Sequence, residues 1–145
     1  MPNSPHVVII ACGAKKRATA ARARDLYEGS YFKSNLKWAL SVAPEDSIFI
    51  LSAKHGLLSL NQAIEPYNVR MGDGASIAPE IIAEQAALKR ITKHRLYAVG
   101  GQEYLSALAR AGLQFCAPAA GLSLGYALSA MKRNLGVLPR WKAWA

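Results

Sequence analysis

A histidine beside a lysine, at the end of a strongly apolar run, is the first place in this sequence where proton chemistry can be staged. The run Ile48-Phe49-Ile50-Leu51 leads into Ser52-Ala53-Lys54-His55-Gly56-Leu57-Leu58. Imidazole titrates near neutrality, and Lys54 can hold the pKa of His55 down or contact an anionic backbone itself. Gly56 has no side chain, which permits a tight turn or the close approach of a ligand. The plainer alternative is a histidine that only hydrogen-bonds the following loop. His6, at the start, and His94, between Lys93 and Arg95, have no comparable setting.

Three further groups belong in the same account. Ile64-Glu65-Pro66-Tyr67-Asn68 places a carboxylate, a phenol and an amide around a proline that restricts Glu65 and stiffens Tyr67. Such a set can orient a water, accept its proton and stack on a base, or it is an ordinary turn with Glu65 in solvent. Ala11-Cys12-Gly13-Ala14-Lys15-Lys16-Arg17 follows an apolar run, and a glycine there lets backbone N–H groups and basic side chains close on a phosphate. Arg22 and Arg24 extend that basic group. Cys12 is either a nucleophile favoured by the adjacent lysines or a small buried hydrophobe; Cys116 reads as core. Asp25-Leu26-Tyr27-Glu28-Gly29-Ser30-Tyr31-Phe32 sets Tyr27 before a glycine turn and a helix start, where anions are favoured. In Ala120-Gly121-Leu122-Ser123-Leu124-Gly125 the glycines permit close helix–sheet packing or a phosphate at the helix start, packing being the commoner use. There is neither a Walker A sequence nor a Gly-x-Gly-x-x-Gly fingerprint, no Gly-x-Ser-x-Gly elbow and no metal-ligand spacing. No cofactor is expected.

Four apolar runs read as the strands that position these groups: His6–Ala11, Ser47–Ser52, Arg95–Gly100 and Leu113–Ala117. They are nearly continuous rather than alternating, as in strands covered on both faces. Helical patterns fall between them. Phe32, Leu36, Ala39 and Leu40 form a stripe with Ser30 as N-cap and Pro44 beyond its end; Ile81, Ile82, Leu88 and Ile91 follow Pro79; Tyr104, Leu105 and Leu108 stop near Gly112; Leu124, Leu128, Met131 and Leu135 end at Gly136. This alternation predicts an α/β fold, a three-layer α/β/α sandwich on a mostly parallel sheet of about four strands. Ligands of such sheets lie outside the carboxyl ends of the strands, where His55 and Cys12 fall. Residues 57–77, with Asn61, Pro66, Gly72 and Gly74, read as a long functional loop. Residues 137–145 form a basic, aromatic tail in which Trp141 and Trp144 dock on the core or lie along nucleic acid, docking being the stronger reading.

The length of 145 residues suits a single domain spanning 1–145. Apolar residues make up 52% and charged residues 19%, which argues against global disorder. No run approaches the roughly 20 apolar residues of a membrane helix, and the start Met-Pro-Asn-Ser-Pro-His lacks the basic and apolar regions of a secretory signal. Two cysteines make no disulfide framework, so the cytoplasm is the expected setting. The net charge is +9. Its clusters, at Lys15 to Lys37, Lys89 to Arg95 and Lys132 to Lys142, suit a polyanion or a merely solubilising face.

Taken together, Cys12-x-x-Lys15-Lys16, Leu26-Tyr27-x-Gly29-x-x-Phe32, Ser52–Leu58, Pro66-Tyr67 and Gly121-Leu122-x-x-Gly125 resemble an uncharacterised family common in phages and bacteria. Its members share a Cys-x-x-Lys start, a Ser-Ala-Lys-His-Gly-Leu-Leu core and a Pro-Tyr-Asp segment; Asn68 stands here where that family has Asp. The strand-end loop and histidine also resemble, more distantly, the uracil-DNA-glycosylase fold. That resemblance implies a base-handling pocket at the carboxyl edge of the sheet. The expected function is therefore a DNA-glycosylase-like hydrolase acting on a flipped base, modified bases included, with nucleic acid as partner and DNA ahead of RNA. His55, Lys54, Glu65 and Asn68 would carry the chemistry. Cys12, Gly13, Tyr27, Phe32, Ser52, Gly56 and Tyr67 would hold the base, and Lys15, Lys16, Arg17, Arg22 and Arg24 the phosphates. The competing expectation is a non-catalytic nucleic-acid or nucleotide-binding module, of the kind a phage uses to occlude or sense DNA.

Overall fold

A computed structural model describes residues 4–144 of the chain. Met1–Asn3, which open the segment read for a leader, and Ala145 of the tail lie outside the described residues. Five strands form one sheet in the order β4-β3-β1-β6-β7: β1 (His6–Ala11), β3 (Ile48–Ser52), β4 (Gly56–Ser59), β6 (Arg95–Val99) and β7 (Phe115–Cys116). The central strand β1 pairs in parallel with β3 and β6, and β7 runs parallel to β6. The fifth strand, β4, is antiparallel to β3 and was not among the four expected. A second, two-stranded antiparallel sheet joins β2 (Ala21–Arg22) to β5 (Ala63–Ile64).

Alternation along β1 divides the core, because successive side chains on a strand point to opposite faces. Val8 and Ile10 pack in one buried cluster with Trp38 and Ala39 of α2 (Ser30–Val42) and Ala127 and Met131 of α5 (Leu124–Arg133). Val7 and Ile9 pack in the other with Ile82 and Ala86 of α3 (Pro79–Leu88) and Leu105 and Leu108 of α4 (Gln102–Arg110). A short helix α1 (Ala23–Leu26) completes the elements. The mixed α/β expectation and the mostly parallel sheet are met.

Several boundaries differ, each for a local reason. Residues 57–77 are not all loop: β4 and β5 occupy part of that segment. The turn Ala53-Lys54-His55 links β3 to β4 with Ser52 opposite Gly56, whose φ is +76°. A three-residue connection followed by a left-handed glycine is a standard hairpin solution. The strand expected over Leu113–Ala117 shortens to Phe115–Cys116 because Leu113 serves the end of α4 instead. Leu113 N donates to Leu108 O and Gly112 N to Ala109 O, with Gly112 at φ +82°, the double bond of a Schellman cap. Ser30 is the first residue of α2, and Gly29 stands at its N-cap. The buried face of α2 runs through Phe32, Asn35, Trp38 and Ala39 while Leu40 is exposed; a polar Asn35 in that face hid the register. The turn at Gly121 has φ +82°, and a Cβ on Gly125 would meet nothing within 4 Å, so close helix–sheet packing is not its use. In the tail, the Trp144 ring stacks on Phe115 at 5.4 Å and Trp141 Nε1 donates to Leu96 O at 2.8 Å, as expected of docking indoles.

Candidate functional site

The chain leaves β1 toward β3 on one side of the sheet and later returns to β6 on the other. The crevice between β1 and β6 is thus the topological switch point, where open α/β sheets bind their ligands. At this edge a Cβ on Gly100, just past β6, would overlap Ala11 Cβ. Glycine is therefore required for the two strand ends to close. Cys12 extends β1 by one residue, its N–H donating to Leu51 O at 3.0 Å.

Two local pairings bring the remaining groups to this edge. Lys16 forms an isolated antiparallel bridge with Tyr27, flanked by Arg17 N to Leu26 O and Glu28 N to Lys15 O, both at 2.9 Å. The β2–β5 pair anchors the segment that returns through Glu65 and Pro66 to Tyr67. The result is a hydroxyl chain. Ser52 Oγ accepts the backbone N–H groups of Lys54 (3.2 Å) and His55 (3.0 Å) and donates to Tyr67 Oη at 2.7 Å. Tyr67 Oη in turn lies 2.5 Å from Tyr27 Oη. On the β6 side, Tyr104 Oη lies 3.2 Å from Cys12 Sγ. Phe32 packs on Tyr27 with ring centroids 5.0 Å apart, and the His55 ring meets Tyr67 edge-on at 5.4 Å. Lys16 Nζ sits 4.4 Å from the Tyr67 ring centroid, within cation–π range.

The electrostatics of this group follow from burial. Tyr27, Tyr67 and Tyr104 are all held well above the ordinary phenol range, first by desolvation and then by their electrostatic interaction with Cys12 beside them. All three remain neutral hydrogen-bond donors at any physiological pH. Burial also lowers the Lys16 ammonium, against a smaller opposing pull from Cys12. The His55 imidazole is lowered by burial and then by the neighbouring Lys54 charge, so its neutral form is favoured. A depressed histidine contributes stability above its unfolded value, about 6.5, and loses that contribution as pH falls through the folded value. A proton NMR titration of His55 is expected to give a midpoint below about 6.5 that rises in Lys54→Gln. A midpoint unmoved by that substitution would remove Lys54 from the account.

The expected site residues divide. Cys12, Gly13, Lys16, Tyr27, Phe32, Ser52, His55, Gly56 and Tyr67 fall at or beside this edge. Lys54, Lys15 and Arg17 are nearby in the chain but exposed, and Glu65 and Asn68 are exposed on either side of half-buried Tyr67. Arg22 and Arg24 are drawn elsewhere. Arg22 pairs with Asp25 at 2.9 Å, Arg24 with Glu45 ahead of β3, and both reach Asn61 just past β4. They therefore belong to the opposite, amino end of β3, away from Lys16. Gly56 makes the tight turn its type permits, whereas Ser52 has a role the motif did not announce: it caps the hairpin turn, which Gln85 of α3 clamps. Gln85 Oε1 accepts Leu57 N at 2.8 Å and its Nε2 donates to His55 O at 2.9 Å.

Tyr104 and Gln85 escaped the sequence reading. Tyr104 lies in the first turn of the helix after β6, and a helix following a parallel strand starts at the carboxyl edge; that position was the available signal. Two cavities lie near these elements, and of the cluster's residues only His55 lines one of them, the smaller. A cavity of about 540 Å³ lies at the ends of β6 and β7, lined by Tyr31, Gly100, Gly101, Gln102, Leu122 and Ser123 among others. A smaller one of about 290 Å³ is lined by His55, Leu57, Gln85 and Lys89 among others. The first falls within the roughly 300–1,000 Å³ of small-molecule sites and the second at its lower limit. Among the described residues, no three of His, Cys, Asp and Glu gather as a metal site, and no helix is long and apolar enough to cross a membrane.

The chain belongs to DUF6884, a family of unknown function whose model matches residues 7–133. No curated protein and no solved structure shows a significant match to it.

Proposed function

For this member of the family, we propose a nucleic-acid base-processing enzyme of the cytoplasm, a DNA-glycosylase-like hydrolase acting on an extruded and in some cases modified base. The observation that carries this reading is the set of neutral phenols and the imidazole gathered at the switch-point edge. Cleaving an N-glycosidic bond sends its electron pair onto the departing base. Neutral donors held in a dry setting stabilise that developing charge without carrying a competing charge of their own. The base is placed against the His55 and Tyr67 rings, which meet edge-on at 5.4 Å. His55 donates to the leaving base, and Glu65 or Asn68, from the exposed loop, orients the water whose oxygen adds to the sugar carbon. The proton released by that water passes to Glu65 or to solvent. The fold reading that goes with this is a three-layer α/β/α sandwich distantly like uracil-DNA glycosylases. Its support is the pair of helix-bearing cores on the two sides of β1, and fold likeness alone does not fix chemistry.

The second reading is a non-catalytic nucleic-acid-binding module. Two observations favour it: Ser52 and Gly56 have sufficient structural reason to be present, and the hydrogen bonds that join the cluster's phenols, Ser52 and Cys12 include no carboxylate. The two readings separate on His55→Ala, assayed for binding and for base release from DNA carrying a panel of modified bases. The enzyme predicts base release reduced by about 10²–10⁴-fold, the usual size of a general acid–base contribution, with binding kept. No release from any substrate by the unaltered chain would overturn the hydrolase and leave the module.

A further inference from the structure

The opposite edge of the sheet carries a feature that the carboxyl-edge site does not use. A cavity of about 460 Å³ is lined by Lys93, His94 and Arg95, by Gly112 and Gln114 after α4, and by the indole of Trp141. Arg95 opens β6, so this cavity lies at the amino end of that strand; a five-residue strand separates it from Gly100 by roughly 15 Å. The three segments that converge here are residues 91–97, 110–117 and 137–144. They add Arg110, Arg140 and Lys142, all exposed, and contain no Asp or Glu. Among the described residues, Lys93, Arg95, Arg110, Arg140 and Lys142 make no ion pair with an Asp or Glu side chain. The charges of Lys93, Arg95, Arg110, Arg140 and Lys142 are thus unneutralised from within.

Like charges brought together without counter-charges cost folding free energy, so their retention points to a gain in function. The gain that fits is a polyanion. We propose that this amino-edge groove binds the sugar-phosphate backbone of a nucleic-acid strand, separately from any chemistry at Cys12 and His55. Three details favour a strand over an anionic membrane. The positive charge lines a concavity rather than a flat face. The indole wall is fixed by its bond to Leu96 O, leaving an aromatic surface of the kind on which bases stack. Finally, none of the large exposed apolar side chains, such as Leu88, Leu124 or Tyr126, lines the groove, whereas membrane-surface elements insert such residues. The groove also explains why the tail docks where it does: Trp141 and Trp144 bring Arg140 and Lys142 to the edge already occupied by Lys93 and Arg95.

The test is fluorescence anisotropy of a labelled single-stranded oligonucleotide with the full chain over a salt series. Lys93→Glu/Arg95→Glu is compared with the unaltered chain and with Lys15→Gln/Arg17→Gln, near-ultraviolet circular dichroism of the tail tryptophans reporting the fold. Each single-strand phosphate contact contributes about 0.7 to the slope of log affinity on log salt, so the double charge reversal is expected to flatten it by about 1.4 and weaken binding at least about tenfold. Arg140→Gln/Lys142→Gln, which leaves the sheet untouched, should give a smaller loss in the same direction and serves if the first variant misfolds. Binding within twofold of the unaltered chain in both amino-edge variants would overturn the proposal. So would a loss confined to Lys15→Gln/Arg17→Gln, which would put the backbone at the carboxyl edge, or capture by phosphatidylserine vesicles without oligonucleotide binding.

Discussion

Gly56→Ala is expected to cost about 2–5 kcal/mol of stability. The left-handed conformation at φ +76° costs a residue with a Cβ about 1–2 kcal/mol. The larger part comes from Gln85: the new methyl would run into Gln85 Oε1 and approach Ile77 Cδ1 to 2.7 Å, so the amide must leave. Its departure breaks the bonds to Leu57 N and His55 O and leaves a buried donor without a partner, at about 1–3 kcal/mol. Urea unfolding reads the difference directly, and for a domain of this size it corresponds to a fall in Tm of roughly 10 °C. Because the two effects share one clash, Gln85→Ala should relieve part of it. The double variant should then be more stable than the sum of the single losses predicts by at least about 1 kcal/mol. Strict additivity, or a Gly56→Ala loss under about 0.5 kcal/mol, would show that Gln85 does not clamp the hairpin.

That clamp also explains what the sequence could and could not disclose. The strands β1, β3 and β6 were legible because continuous apolar runs bounded by turn residues have few other uses. The hairpin was not. Leu57-Leu58 after a glycine is equally consistent with a loop packing on the core, and only the pairing of Ser52 with Gly56 decides it. The motif Ser52–Leu58 was thus rightly located at the carboxyl edge, yet much of its composition answers to turn geometry: a hydroxyl to cap two N–H groups and a glycine to turn left. His55 and Lys54 are the residues of the motif that the turn itself does not demand.

The basic residues divide for a similar reason. Arg22 and Arg24 are only a few positions from Lys16 and Arg17 in the chain, and proximity suggested one clamp. The β2–β5 pairing instead takes Arg22 and Arg24 toward Asn61 and Glu45, while the Lys16–Tyr27 bridge keeps Lys16 with the phenols. Long-range pairing of two-residue strands leaves no periodic trace in a sequence. The same holds for Tyr104, whose bond to Cys12 spans most of the chain. Its place in the helical stripe, i next to Leu105 and Leu108, gave it a sufficient core role and masked the other.

Above about pH 10 the chain is expected to lose stability steeply, and the three clustered phenols are the cause. In the unfolded chain a tyrosine ionises near 10; in the folded chain Tyr27, Tyr67 and Tyr104 are held well higher by burial and by Cys12. A group with a raised folded pKa contributes stability that is fully present below its unfolded value and is lost as pH rises toward the folded one. In that window the unfolded chain has released protons that the folded chain still holds. Each such phenol lowers the unfolding free energy by about 1.4 kcal/mol per pH unit, and the three together by about 4 kcal/mol per unit. A domain of ordinary stability, roughly 5–15 kcal/mol, is exhausted within a few units. Urea midpoints across this range, read together with phenolate absorbance, check the expectation: the phenolate signal of the cluster should rise only with unfolding. Tyr67→Phe should reduce the slope by about a third while lowering stability near neutral pH, because Ser52 Oγ and Tyr27 Oη lose their shared partner. A folded chain whose cluster phenols ionise freely near pH 10, with no change in midpoint, would show that the cluster is wet. A wet cluster would also weaken the proposed chemistry, since neutral donors stabilise a departing base strongly only where water does not compete for it.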